Sequence, residues 1–500
     1  MSGAAGNATS GTIPEFKQVM GHPRPLWMLF MTEFWERFAF YGIRWAMVLY
    51  IVAQFKNGDP AGQKEASHLY GAYLALVYAA AIFGGYIADK LIGYQRSILT
   101  GALIMGAGLF LLASPTEPLF KFGLATIIVG NGMFKPIIST LVGKIYRQGD
   151  ERRDSGFTIF YMGINLGAMI SPIITQFLAQ QVFGQDGMPA YKVVFIASGV
   201  GMVLSFLWFW FGRAQLQGIG AAEGAQTSSS RLALVIVASL AVGIPLFFFL
   251  LSIDASVLNW ILIACLVVPA IMLAVEGVRE GTVQRDKVLA MLIILAFNVF
   301  FWCFFEQAGS SFTFLADQIV DRELGFMTFP NAWFQSVNSV AIIVLAPIIA
   351  WIWVKMGKAN PTIPRKFSLG LIFNGLAFLL LMFALKDLVN DAGKIPFWTL
   401  FAVYWIQSIG ELCLSPIGLS MTTKLAPARL TGFAMGAWFL SIAIGNNLAG
   451  MFAGEASGDS GMTTTSALGA YTQGFWILMI AGALLFLIAP LVQKLMHGVK

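Results

Sequence analysis

The sequence predicts an all-α polytopic membrane protein: two six-helix bundles with two further helices inserted between them. Three observations carry that reading. Apolar residues make up 58% of the 500 and charged residues only 11%, with a mean hydropathy of +0.75. A soluble chain is about half apolar and about a quarter charged, so much of this surface must face lipid. The apolar residues gather into fourteen runs near the ~20 residues that a membrane helix needs. Finally, a short pattern in the first half recurs in the second.

In chain order the spans fall at 28–55, 69–89, 97–114, 122–143, 156–180, 193–212, 232–251, 256–275, 288–316, 331–354, 367–385, 397–422, 431–454 and 470–492. The first 25 residues are polar and lack a basic start followed by an apolar core. No cleavable signal is expected, and the first helix itself directs insertion. Of the 31 Lys and Arg, segments on the side of the two termini hold 21, Lys500 among them, and segments on the other side hold seven. Arg37, Arg44 and Lys135 remain, all inside spans. This asymmetry places both termini in the cytoplasm under the positive-inside rule. The net charge of +6 is thereby a matter of topology and implies no nucleic-acid partner. Cys265, Cys303 and Cys413 lie far apart in apolar spans, where buried free thiols are expected rather than a disulfide or metal site.

The repeat divides the chain. Pro136-Ile137 and Lys144 recur as Pro416-Ile417 and Lys424; Arg153, Gly156 and Phe157 recur as Arg429, Gly432 and Phe433. Two halves related by an axis along the membrane normal are the arrangement of major facilitator transporters, with the substrate site between them near the midplane. Residues 1–27 then form a cytoplasmic segment, 28–212 the first bundle, 213–287 a linker with the two extra helices, 288–492 the second bundle and 493–500 a tail.

Ionisable side chains inside lipid are costly and should face a cavity or a partner. The first span carries Glu33, Glu36, Arg37 and Arg44, and at 100° per residue these fall with Tyr41 on one stripe about 140° wide. Lys135, Glu306 and Glu411 sit at comparable depth in other spans. Four carboxylates face three bases, so the cavity is one proton short of neutral. Crowding and desolvation favour uptake of that proton.

At these residues the sequence resembles a family. Glu33-Phe34-Trp35-Glu36-Arg37-Phe38-Ala39-Phe40-Tyr41-Gly42 is similar to the ExxERFxYYG motif of the proton-coupled oligopeptide transporters, a major facilitator family, with Phe40 in place of the first tyrosine. Gly85-Tyr86-Ile87-Ala88-Asp89 through Gly93 and Arg96 resembles the facilitator loop motif. Phe160-Tyr161-Met162-Gly163-Ile164-Asn165-Leu166-Gly167 resembles the fifth-helix signature, and Gly410-Glu411 with Ser415-Pro416 the GExxxSP element. The inserted pair matches the bacterial fourteen-helix type.

The resemblance implies symport of di- and tripeptides with protons by alternating access, in a bacterial inner membrane. It implies a chain working as a monomer, with the proton as coupling ion and no cofactor or metal. Arg37 and Lys135 would take the peptide carboxylate and Glu411 the amine, while Asn165, Asn338 and Ser415 offer polar contacts. Tyr41, Tyr78 and Trp438 would line side-chain pockets. Arg44 with Glu306, and Asp317 farther out, would close the outer side; Lys135 with Glu411 would close the inner side. Glu33, Glu36, Arg37 and Glu306 would carry the coupling. Some members hold a proton-linked histidine in the second helix, where this chain has Gly71, and His22, His68 and His497 read as solvated.

Other readings keep the fold and change the cargo to an organic anion, nitrate or a drug, or make the chain a membrane sensor. An enzyme is not expected. Gly458-Asp459-Ser460-Gly461 resembles a serine-protease fragment, but it lies in an outer loop with no histidine placed to serve it.

Overall fold

A computed structural model describes residues 13–147, 149–185 and 187–499, so Lys500 and the first twelve residues of the N-terminal segment lie outside it. The first bundle comprises α1 (Arg24–Phe55), α2 (Gly62–Ile92), α3 (Tyr94–Leu111), α4 (Glu117–Lys144), α5 (Arg152–Val182) and α6 (Tyr191–Leu216). The inserted pair is α7 (Ser229–Ser252) and α8 (Ala255–Glu280). The second bundle comprises α9 (Thr282–Phe305), the short α10 (Ser311–Gln318), α11 (Trp333–Ala359), α12 (Ile363–Asp387), α13 (Phe397–Leu425), α14 (Ala428–Ser457) and α15 (Thr464–Leu495).

Thirteen of these helices are long and apolar enough to cross a membrane. The remaining predicted span, 97–114, is α3, whose first turn spends its length on Gln95 and Arg96. Those side chains donate to the Ile219 and Gln226 carbonyls at 2.9 and 2.8 Å, tying the linker beneath the bundle. Several helices run past their apolar stretch. α15 starts at Thr464, not 470, because Thr463 caps it by accepting from the Ser466 amide at 3.0 Å. Two short strand pairs, Gln18–Val19 with His22–Pro23 and Val320–Asp321 with Ile395–Pro396, tie loops together.

Two spans expected to be continuous are broken. α1 is interrupted at Ile43. Span 288–316 splits after Phe305, and α10 begins again at Ser311. The Gln307 side chain donates to the Cys303 and Ala449 carbonyls at 3.1 and 3.2 Å and accepts from Ser311 at 2.6 Å. A buried polar side chain thus replaces the helix bonds lost in the break.

The bundles meet along two seams, α2 on α14 and α5 on α11. A Cβ on Gly71 would stand 2.6 Å from the Gly450 Cα, so α2 and α14 touch backbone to backbone. That leaves no room for a histidine at position 71. At the other seam Gln176 of α5 bonds Asn331 at 2.5 Å, and Ser336 of α11 donates to the Met169 carbonyl at 2.7 Å. Both contacts lie toward the face opposite the termini, here the distal face. Toward the terminal face, α4 and α13 expose Ser139, Thr140, Leu419 and Ser420, and the cleft opens there. Pro136 and Pro416 occupy matching places in these two helices.

The inserted helices divide their attachments. α7 packs on α4 and α2, while α8 packs mainly on α14 and α9 and only lightly on α2. At the distal end Asn447 of α14 donates to the Ala255 carbonyl at 2.8 Å, and at the terminal end Arg429 lies 3.5 Å from Glu276.

Candidate functional site

The charged layer is built first on α1. Small residues let that helix sink between α5 and α6. Ser171 donates to the Phe38 carbonyl, and a Cβ on Gly42 would meet the Ser198 and Ser171 hydroxyls at 2.6 and 2.7 Å. The helix therefore turns its polar stripe to the cleft, and Glu33, Glu36 and Arg37 are all at most 3% exposed. Arg37 bonds Glu36 through Nη2 at 2.6 Å and through Nε, and its Nε lies 3.2 Å from Glu33 Oε1. Glu33 Oε2 is buried with no hydrogen-bond partner among the described residues. One guanidinium serves two carboxylates.

Beyond the break in α1, Arg44 pairs with Glu306 and its Nε donates to the Tyr70 hydroxyl at 2.8 Å. Glu306 sits in the non-helical stretch between α9 and α10, so this pair bridges the two bundles. Gly309 makes room for it, because a Cβ there would come within 2.1 Å of the Tyr70 hydroxyl. Tyr41 lies between the two arginines, its ring 6.0 Å from the Arg37 guanidinium and 5.7 Å from that of Arg44. Asp317 is not near this pair. It lies 3.9 Å from Arg322 and accepts from Asn331 at 3.0 Å, and Asn331 in turn holds Gln176. Burial raises the Asp317 carboxyl above its ordinary range, against the pull of Arg322 and the Asn331 amide.

Lys135, on α4, has its ammonium 4.2 Å above the Tyr78 ring and 5.9 Å from that of Phe40. Across the cleft on α13, Glu411 accepts from Asn338 at 3.1 Å, and Asn338 also donates to Ser408 at 2.9 Å. Lys135 and Glu411 make no ion pair with each other here, and the cleft lies between them. Ser415, one turn on from Glu411, has a buried hydroxyl without a partner among the described residues. Asn165 donates to the Tyr161 carbonyl at 3.0 Å. Trp438 does not stand open to the cleft. It is 3% exposed, with its ring against Gly418 and edge-on to Phe367 at 6.2 Å.

The geometry adds residues that the sequence reading passed over. Asn131 lies 3.5 Å from Glu36, and its spacing of four before Lys135 puts both on one face of α4. Ser408 stands three before Glu411 in the same way. Tyr70 offered no such signal, being one of several aromatics on α2. The protease-like fragment is occupied otherwise, since Asp459 pairs with Lys64 at 3.0 Å.

Known proteins with the same features are transporters. The model of the POT family matches residues 95–464. The peptide transporter YePEPT of Yersinia enterocolitica subsp. palearctica is 33% identical, over 98% of this chain and 99% of its own. The dipeptide and tripeptide permease B of Yersinia enterocolitica serotype O:8 is 31% identical, over 96% of this chain and 97% of its own. A crystal structure of a mutant of peptide transporter POT in complex with alafosfalin superposes with a TM-score of 0.81 at 32% identity, covering 96% of this chain and 97% of that one.

Proposed function

This chain belongs to the POT family, and on that premise we propose that it carries di- and tripeptides into the cell together with protons. One observation carries the reading: fixed charges of opposite sign, Lys135 and Arg37 on one bundle and Glu411 on the other, face a cleft without neutralising each other across it. A short peptide is a zwitterion whose ends match those charges. Arg37 and Lys135 take the carboxylate, the guanidinium fork matching two oxygens, and Glu411 takes the amine. Asn165, Asn338 and Ser415 serve the backbone between, and Tyr41 and Tyr78 the side chains. The names of the relatives, one a peptide transporter and one a dipeptide and tripeptide permease, support this cargo.

The proton belongs with the carboxylate in excess. Arg44 and Glu306 are paired, while Arg37 is shared by Glu33 and Glu36. Protonating one of the two, with Glu33 and its unpartnered oxygen the first choice, loosens Arg37 toward the peptide. With the termini in the cytoplasm, the open cleft faces inward and the Arg44–Glu306 bridge closes the outer side. Alternating access then exchanges that bridge for a Lys135–Glu411 pair, because an unpartnered buried charge is costly. Uptake of labelled dialanine into liposomes with and without an inward proton gradient tests the reading. Accumulation only with the gradient is expected. Uptake that ignores the gradient removes the coupling, and no uptake removes the cargo.

A further inference from the structure

On the side of α1 turned away from the cleft, α5 and α6 diverge and leave a groove open to the membrane. Its deeper part, a cavity of 380 Å³, is lined by Phe34, Trp35 and Phe38 of α1 with aliphatic side chains of α5 and α6, and is almost wholly apolar. Its floor is closed where α6 meets α1, since a Cβ on Gly201 would stand 2.8 Å from the Phe38 ring. A second cavity of 760 Å³ continues it toward the terminal face, and the two share Trp35 and Leu204. At its foot stand Arg24, Trp27, Trp208 and Gln215. Trp27 is fixed there by donating to the Val19 carbonyl at 3.1 Å.

Three features say what such a groove takes. Arg24 is exposed and has no ion-pair partner among the described residues, and it is the only ionisable residue lining either cavity. No carboxylate lines the groove to receive an ammonium. From Arg24 to Phe38 α1 rises about 21 Å at 1.5 Å per residue. One leaflet holds about 15 Å of a ~30 Å hydrocarbon core, so the groove passes from headgroup depth to the midplane. Trp27 and Trp208 stand near Arg24, where aromatic residues belong at the membrane interface.

We propose that this groove is a binding site for one anionic phospholipid of the terminal-face leaflet. The phosphate sits on Arg24, and one acyl chain lies along α1 between α5 and α6. On the helical wheel Arg24, Trp27, Phe34, Trp35 and Phe38 occupy an arc of about 100°, opposite the stripe of Glu33, Glu36 and Arg37. The lipid would therefore brace the back of the helix that carries the charged layer.

The test uses the purified full chain and phosphatidylglycerol carrying a photoactivatable group near the end of one chain. Label is expected in α1, α5 and α6, above that at Leu487 of α15, a residue 77% exposed outside the groove. Arg24→Ala should cut the retained phosphatidylglycerol at least tenfold in native mass spectrometry, while Arg24→Lys loses less than threefold. Ala197→Phe, which fills the deeper cavity, should remove label from α5 at an unchanged melting temperature. Equal retention of phosphatidylglycerol and phosphatidylcholine, or labelling of the groove no stronger than of α15, would overturn the site.

Discussion

One guanidinium between two buried carboxylates sets the chemistry at the scale of the residue. Arg37 cannot neutralise both Glu33 and Glu36, and the proposed function places the coupling proton on one of them. Both carboxylates contact the same guanidinium, so variants of both are needed. Glu33→Gln and Glu36→Gln should each abolish gradient-driven accumulation, while at least one keeps peptide-for-peptide exchange. Normal accumulation by both would move the proton to Glu306. At the substrate ends, amidating or acetylating a dipeptide should cost more than tenfold in competition, about 1.4 kcal/mol. Blocked peptides competing like free ones would end the two-charge account. The charged residues were legible because ionisable groups stand out in an apolar sequence. Their partners were less so: Asn131 and Ser408 follow from helical spacing, whereas Tyr70 and the Asp317–Asn331–Gln176 chain arise only when distant helices meet. Asp317 is expected farther out on the outer side from the family resemblance, which does not say that it meets Asn331 and Arg322 there.

Among the elements, the broken and closely touching helices matter most. Span lengths could be read from hydropathy, but the break after Phe305 could not, because Gln307 heals it with bonds to the backbone of its own helix and of α14. Gln307→Ala should therefore lower thermal stability by roughly 1–3 kcal/mol by leaving buried carbonyls unpaired. An unchanged melting temperature would show that the break needs no such support. Where α2 and α14 touch, Gly71→Ala places a methyl against Gly450 and should shift the population toward an open distal face. Spin labels at the exposed Glu65 and Glu455 should then report a longer mean distance. Arg44→Ala should act in the same direction by removing the bridge to Glu306, and unchanged distances in both variants would separate these contacts from gating.

For the whole molecule, the repeat around Pro136 and Pro416 foretold paired bundles, while the route of the inserted helices was silent in the sequence. Those helices attach mainly to different bundles, α7 to the first and α8 to the second, with only a light touch of α8 on α2. Between them runs a link of only two residues, Ile253 and Asp254. Three steps of 3.8 Å separate the Ser252 and Ala255 Cα atoms, so that link can extend to about 11 Å and no farther. It is a leash across the α2–α14 seam, and its length caps how wide the bundles can part on that side. The distal mouth must then gape unevenly, pivoting near the leash and swinging wider at the α5–α11 seam. Labels at Phe183 and Phe326 should separate more than those at Glu65 and Glu455, and lengthening the link with glycines should make the two movements more equal.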